Sequence, residues 1–246
     1  MLRPHASRGG TAAYKQYIPA FGEFFKVPSF GISDLQQIEL LLSLERMRTY
    51  HISADGGIEE AFALYIWNMR MAEAFNGPLH VIEVILRNAL GGALKRKYGQ
   101  DWYLPGKCFH LSGSQVTRLS EAVAQVVRQG RLLAHGRVVA ELSFGFWSGL
   151  LGNRYENSLW RHLFYGEFRH APKPLRRAAI QRPVDELRFF RNRIAHHEPI
   201  FQRDLAADYA RILMIARWIS PTAESWIEAT SREKIELLLE RRPQLR

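Results

Sequence analysis

Residues 183–199 read Pro-Val-Asp-Glu-Leu-Arg-Phe-Phe-Arg-Asn-Arg-Ile-Ala-His-His-Glu-Pro, and their spacing predicts the fold. Apolar residues spaced three and four positions apart predict the buried face of an amphipathic helix: Leu187, Phe190 and Ile194. Pro183 suits the first turn of a helix, whereas Pro199 disfavours helix at the residue before it. The stretch therefore predicts one helix that begins at Pro183 and ends near His197.

The rest of the chain follows the same helical spacing, and the alternation typical of strands is nearly absent. The main helices are predicted at residues 33–50, 58–75, 78–98, 114–130, 157–164, 204–219 and 230–241, with 131–137 as a basic connection. Thr230 and Glu233 have the spacing of a capping box. We therefore predict an all-α helical bundle that forms a single domain over residues 31–246. Residues 1–30 lack a clear period and predict a flexible N-terminal arm.

The chain is strongly basic. Its 246 residues include 34 Lys or Arg and 24 Asp or Glu, which gives a formal net charge of +10. An excess of this size favours a nucleic-acid partner over a small acidic substrate. The excess is concentrated between residues 161 and 193, where nine basic and three acidic residues give a net charge of +6. Arginines of this segment are predicted to contact an RNA backbone: Arg176, Arg177 and Arg182.

The sequence also excludes several classes of site. Cys108 is the only cysteine, so an intrachain disulfide, a zinc ribbon and a Cys-x-x-Cys redox pair cannot form. The first 30 residues lack the apolar core of an export signal. The longest strongly apolar stretch without a charge, residues 142–153, is shorter than the about 20 residues that span a bilayer. We therefore expect a cytoplasmic protein without a membrane segment.

A second face of the helix over residues 183–199 carries polar groups suited to RNA cleavage. Arg188, Asn192 and His196 fall four residues apart, with Arg191 beside them. An imidazole exchanges protons near neutral pH, and a guanidinium donates paired hydrogen bonds to a phosphate as negative charge builds there. We therefore expect Arg191 to stabilise the phosphorane and Asn192 to orient the reacting groups. The helix dipole favours protonated His196, which points to the acid rather than the base.

Cleavage of this kind uses two proton-transfer groups, whereas this face of the helix holds one histidine. A two-fold dimer supplies the second group by bringing the same helix of each subunit to one cleft. His197 is the alternative within one subunit, but neighbours in a helix point about 100° apart. A metal site at residues 196–198 is disfavoured because three consecutive helical residues cannot all face one ion. We therefore predict a homodimer without metal or other cofactor, and a supporting role for His197.

The same helix resembles a known motif. Residues 191–196, Arg-Asn-Arg-Ile-Ala-His, match the R-N-x-x-x-H form of the motif of HEPN-domain ribonucleases. The longer stretch 187–200 resembles the C-terminal signature of the Abi-like proteins, the bacterial abortive-infection family within the HEPN superfamily. Further segments that resemble this family are residues 44–50, 64–68, 83–90, 98–99 and 101–103. The resemblance extends over most of residues 35–215.

The resemblance implies a HEPN-like helical bundle with additional helices. It implies a dimeric, metal-independent endoribonuclease of phage-defence or toxin–antitoxin type, in which Arg191 and His196 are catalytic and Asn192 supports them. The expected partners are RNA, a second copy of the chain and a cognate antitoxin, either protein or small RNA. Some HEPN proteins only bind RNA or other partners, so membership alone does not establish catalysis.

Other readings of the same residues remain open. The cations at the end of the helix, Arg191 and His196, also complement its dipole. Glu83 either pairs with Arg87 four residues later in its own helix or reaches Arg191 and holds it in place, with Arg188 as a further supporting residue. The alternative function is a non-catalytic helical RNA-binding or regulatory protein. A DNA-binding helix-turn-helix is a weaker third candidate, because no helix pair has the required tight glycine turn.

Overall fold

The fold is all-α, as the sequence predicts. A computed structural model describes residues 30–107 and 111–246, and these residues contain no strand. The longer helices are α1 (Ile32–Leu42), α2 (Leu44–Ser53), α3 (Ile58–Tyr98), α4 (Gly113–Arg128), α5 (His135–Glu141), α6 (Phe144–Leu150), α7 (Arg177–Ala195), α8 (Leu205–Ile219) and α9 (Pro221–Glu240). Within the described ranges, no helix is long and apolar enough to cross a membrane.

The chain divides into two compact units. One unit comprises the described residues up to Trp67 together with Pro243–Arg246, and the other is Asn68–Arg242. The single domain expected over residues 31–246 stays a prediction. The predicted arm over residues 1–30 lies, except for Phe30, outside the described residues.

The first unit holds α1, α2 and the beginning of α3. One helix is predicted over residues 33–50, but α1 ends at Leu42 and α2 begins at Leu44. Between them, the backbone φ of Ser43 is 80°, which cannot continue a right-handed helix. The hydroxyl of Ser43 accepts a hydrogen bond of 3.3 Å from the amide of Arg46 and so caps α2. The prediction of a single helix is therefore wrong at this position, because a local cap replaces a helical turn.

Helix α3 runs without a break through Pro78, so the prediction of two helices, 58–75 and 78–98, is wrong. The residues around the proline explain the difference. Three large side chains on one face are almost wholly buried: Phe75, Leu79 and Ile82. Proline in a helix interior costs about 3 kcal/mol, whereas burying one such side chain stabilises by about 1.5–3 kcal/mol. Burial therefore outweighs the local signal for a break.

Helix α7 begins at Arg177, six residues before its predicted start, and Pro183 lies inside it. The apolar face continues toward the N-terminus through Ile180 and Val184, which are wholly buried. The start at Pro183 is therefore wrong, because the buried face is longer than the stretch that the proline marks. The C-terminal boundary is close to the predicted one, since the last helical residue is Ala195.

Helix α9 begins at Pro221, not at Thr230 as predicted. The hydroxyl of Ser220 accepts a hydrogen bond of 3.4 Å from the amide of Ala223 and caps this helix. The hydroxyl of Thr230 donates to the carbonyl of Trp226 at 2.9 Å, within the helix. The predicted capping box at Thr230 is therefore wrong, because the helix already extends past that residue.

The segment between α6 and α7 forms three short turns. They are a 3-10 turn at Asn153–Tyr155, a π-helical turn at Glu156–Trp160 and a second 3-10 turn at Phe164–Glu167. The short α-helix predicted over residues 157–164 is therefore wrong. The aromatic side chains of Trp160 and Phe164 are buried, so the segment is anchored although its backbone is irregular.

Aromatic rings connect the central helices of the second unit. The ring centroid of Phe75 in α3 lies 4.9 Å from that of Phe190 in α7 and 6.3 Å from that of Tyr209 in α8. Both pairs are edge-to-face, the arrangement that aromatic quadrupoles favour. Helix α7 is thus packed against α3 at Phe190, one residue before Arg191, and the same ring of Phe75 packs against α8.

A partly buried hydrogen bond at the start of α5 predicts a pH-dependent stability. The indole Nε1 of Trp102 donates to Nδ1 of His135 at 2.9 Å, which requires a neutral acceptor nitrogen. Burial, and to a lesser degree the charge of Lys95, lowers the pKa of His135 below its usual value of 6.5. As pH falls below about 6.5 the unfolded chain takes up the proton first, so the free energy of unfolding decreases until the folded-state pKa is reached.

Urea unfolding at pH 7.5 and pH 5.5 measures this effect. His135→Asn keeps an acceptor oxygen but does not titrate, so we expect it to lose less stability than the parent between the two pH values. An equal loss in both proteins would contradict the assignment to His135.

Candidate active site at the end of helix α7

The last turn of α7 holds His196 in a defined position. The chain leaves the helix through a left-handed residue, His197, whose φ is 56°. The amide of His197 donates to the carbonyl of Ile194 at 3.0 Å, and the amide of Glu198 donates to the carbonyl of Arg193 at 2.8 Å. This pair of bonds is the Schellman motif, which satisfies the last carbonyls of a helix. His196 therefore lies at the C-cap, where the sequence predicts the helix to end.

The predicted polar edge of α7 is open to solvent. Arg191 and His196 are exposed, and Arg188 and Asn192 are half-buried. His197 is exposed as well. The structure therefore brings the predicted residues to one accessible end of α7, on one subunit.

Arg191 lies on a face of α7 whose earlier positions are buried. At about 100° per residue, position 191 lies between positions 184 and 187 on the helical wheel. Val184 and Leu187 are wholly buried, whereas the side chain of Arg191 is 45% exposed. Ala195, one turn later, is exposed too. The packing that covers this face thus ends before Arg191 and leaves an opening at the C-terminal end of α7.

Glu83 of α3 orients the guanidinium of Arg191. Its Oε2 lies 3.3 Å from Nε of Arg191, and the carboxylate side chain is only 14% exposed. Arg87 instead donates to the carbonyl of Ala140 at 3.3 Å, and no Glu83–Arg87 ion pair occurs among the described residues. Of the two contacts predicted for Glu83, the structure therefore contains the one with Arg191 and not the one with Arg87. The ion pair places the carboxylate of Glu83 beside Nε of Arg191.

A buried amide anchors the chain just after the turn. Oδ1 of Asn68 in α3 accepts hydrogen bonds from the amides of Ile200 at 2.8 Å and Phe201 at 3.1 Å. Both apolar residues are wholly buried, and Asn68 is buried with them. Sequence reasoning placed Asn68 in a family-like segment but gave it no role. The available signal was a single polar residue on the otherwise apolar face of α3.

Arg203 fixes the far end of the same loop. Its guanidinium makes two hydrogen bonds to the buried carboxylate of Asp208, at 2.7 and 2.9 Å. The carboxylate of Glu186 lies 3.6 Å away, and the guanidinium stacks 5.1 Å from the ring centroid of Phe190. The hydrogen bonds to Asp208 raise the pKa of Arg203 above its usual value. The loop that follows His196 is therefore held at both ends.

Phe189 is an exposed aromatic residue of α7 for which the sequence pattern predicted no role. Among the large apolar residues of α7 it alone is strongly exposed, at 52%. The guanidinium carbon of Arg188 lies 4.1 Å above its ring, and Nε of Arg188 is 3.4 Å from Asp185. The helical wheel, which places Phe189 on the outer face, was the signal that could have identified it.

The three arginines predicted to contact RNA differ in their surroundings. Arg176 and Arg182 are exposed, and neither makes an ion pair with a described residue. Arg177 is only 8% exposed and is bound to the carboxylate of Glu156 at 2.7 Å and to the carbonyl of Leu151 at 2.7 Å. The RNA contact predicted for Arg177 is therefore wrong, because its guanidinium is used to hold the turns before α7.

No protein-family model, curated protein or solved structure matches the chain. The resemblance to Abi-like proteins, and the HEPN-like form of the bundle, thus stay predictions. Within the described part of the chain, no group of three or more His, Cys, Asp or Glu side chains is placed to hold a metal ion.

Proposed function

We propose that the protein is a metal-independent endoribonuclease of the HEPN type. The observation that carries the proposal is the open end of α7, where Arg191 and His196 are both accessible and Glu83 holds Arg191 by an ion pair of 3.3 Å. A guanidinium can stabilise the negative charge that builds on a phosphodiester during cleavage, and an imidazole can protonate the leaving oxygen.

In the proposed reaction, the ribose 2′-hydroxyl loses its proton and attacks the adjacent phosphorus. Arg191 donates hydrogen bonds to the phosphate oxygens as negative charge builds on them. His196 donates a proton to the 5′-oxygen as the bond from phosphorus to that oxygen breaks. The products are a 2′,3′-cyclic phosphate and a free 5′-hydroxyl, and Asn192 orients the reacting groups beside His196.

A second copy of the chain supplies the second proton-transfer group in this proposal. The opening beside Arg191 and Ala195 leaves a helix face uncovered, which is where a two-fold partner would bring its own α7. In that arrangement one His196 removes the proton from the 2′-hydroxyl and the other protonates the leaving oxygen. We extend the proposal to a cytoplasmic role in phage defence or as a toxin restrained by an antitoxin.

Cleavage of a labelled RNA by the purified protein in excess EDTA tests the proposal. We expect the rate in EDTA to equal the rate in magnesium, because the reaction needs no Lewis acid. Loss of cleavage on chelation, with recovery on adding back one divalent metal, would contradict it.

A non-catalytic RNA-binding protein is the second candidate, and one observation favours it. Arg176 and Arg182 are exposed cations that make no ion pair with described residues, so they are available to phosphates. This candidate predicts salt-dependent binding of RNA with no cleavage products in the same assay. In the nuclease proposal these two arginines contribute affinity and leave the chemistry to Arg191 and His196.

A further inference from the structure

A cavity lies where α7 begins, far along that helix from the candidate active site. Its volume is about 520 Å³, within the range of about 300–1,000 Å³ that small-molecule sites occupy. Trp160, Tyr165 and Leu175 line it, together with Arg161 and Arg176. From Arg176 to the C-cap of α7 the helix rises about 30 Å, so this cavity is a separate place on the molecule.

The charge of the cavity is positive and only partly compensated. Glu156 is the acidic residue in its lining, and that carboxylate is already paired with the buried Arg177 at 2.7 Å. Arg161 lies 3.5 Å from the same carboxylate and its side chain remains 65% exposed. Arg176 makes no ion pair with a described residue. Two arginines therefore line a concave site with little negative charge to neutralise them.

The aromatic wall adds a second feature. Nζ of Lys173 lies 4.0 Å from the ring centroid of Tyr165 and donates to the carbonyl of Phe168 at 3.1 Å. The rings of Tyr165 and Trp160 pack edge to face, with centroids 6.0 Å apart. A planar aromatic group of a ligand can contact this wall, while an anionic group reaches the arginines.

From these observations we propose that the cavity binds a phosphate-bearing nucleotide. Arg161 and Arg176 bind the phosphate, and Tyr165 contacts the base or sugar. The phosphate belongs either to a free nucleotide or to the 5′ end of an RNA chain, two sources with the same chemistry. The proposal does not rest on cleavage, so failure of the nuclease assay leaves it standing.

Isothermal titration of the full-length protein with ADP and with adenosine tests the site. We expect ADP to bind and adenosine to bind at least about tenfold more weakly, because the phosphates carry the charged hydrogen bonds. Arg176→Gln and Arg161→Gln should each weaken ADP binding about tenfold. Arg131→Gln is the matched control, since it removes the same charge from an exposed residue outside the cavity and should bind ADP as the parent does.

A second pair of probes separates the two sources of phosphate. They are short 2′-deoxy oligonucleotides that carry either a 5′-phosphate or a 5′-hydroxyl, which the proposed 2′-hydroxyl attack cannot cleave. Tighter binding of the 5′-phosphorylated oligonucleotide than of both ADP and the 5′-hydroxyl oligonucleotide assigns the cavity to a nucleic-acid end, and tighter binding of ADP assigns it to a free nucleotide. The proposal is overturned if neither phosphate probe binds, if adenosine binds as well as ADP, or if Arg176→Gln leaves binding unchanged.

Discussion

Replacing His196 by alanine is expected to lower RNA cleavage by about 10²- to 10⁴-fold, the usual contribution of a positioned general acid or base. The free energy of unfolding should change little, because His196 is an exposed C-cap residue whose backbone makes the helix-ending contacts. Single-turnover cleavage of a labelled RNA and urea unfolding measure the two effects on the same preparation.

His162→Ala is the matched control for this variant. His162 is an exposed histidine of the segment between α6 and α7, so its loss removes an imidazole that lies outside α7 and outside the Glu83–Arg191 pair. We expect it to cleave as the parent does. Cleavage by His196→Ala at the parental rate would remove His196 from the mechanism, and His197 would then have to be tested as the proton-transfer group.

Asn68→Ala is expected to have the largest effect on stability. The truncation leaves the buried amides of Ile200 and Phe201 without their acceptor, and an unsatisfied buried donor costs about 1–3 kcal/mol. For the two amides together we expect a loss of about 2–4 kcal/mol in the free energy of unfolding. Cleavage should fall as well, because Asn68 holds the chain that follows His196.

Asn68→Asp and Asn88→Ala complete this experiment. The aspartate restores an acceptor oxygen at the same place, so it should recover part of the lost stability. Asn88 is an exposed asparagine of the same helix, and its replacement by alanine should change stability by no more than about 0.5 kcal/mol. If Asn68→Ala unfolds at the same urea concentration as Asn88→Ala, the two hydrogen bonds do not anchor the loop.

The helical class was predictable because apolar spacing is a local property. The boundaries failed where a local signal and tertiary burial disagree. Pro78 and Pro183 both indicate helix starts, yet the buried faces of α3 and α7 continue through them. At Ser43 the prediction was wrong for the opposite reason. The apolar spacing is continuous there, but the left-handed backbone of Ser43 ends the helix.

The candidate site was predictable along α7, and beyond that helix the sequence offered only Glu83, as one of two alternatives. The positions of Arg191, Asn192 and His196 follow from helical spacing alone. The partners of the site come from distant parts of the chain, as Asn68 does for Ile200 across 132 residues. The prediction for Arg177 was wrong for the same reason. Its charge favoured an RNA contact, but it is buried by turns that the sequence pattern does not predict.

The most direct test of the proposed mechanism uses one RNA sequence in two forms. One form is unmodified, and the other carries a 2′-deoxyribose in place of the ribose at the cleaved position. In EDTA we expect the protein to cut only the unmodified RNA there and to leave a 2′,3′-cyclic phosphate and a 5′-hydroxyl. Equal cleavage of the two forms, or no cleavage of either by the wild-type protein, would contradict the account.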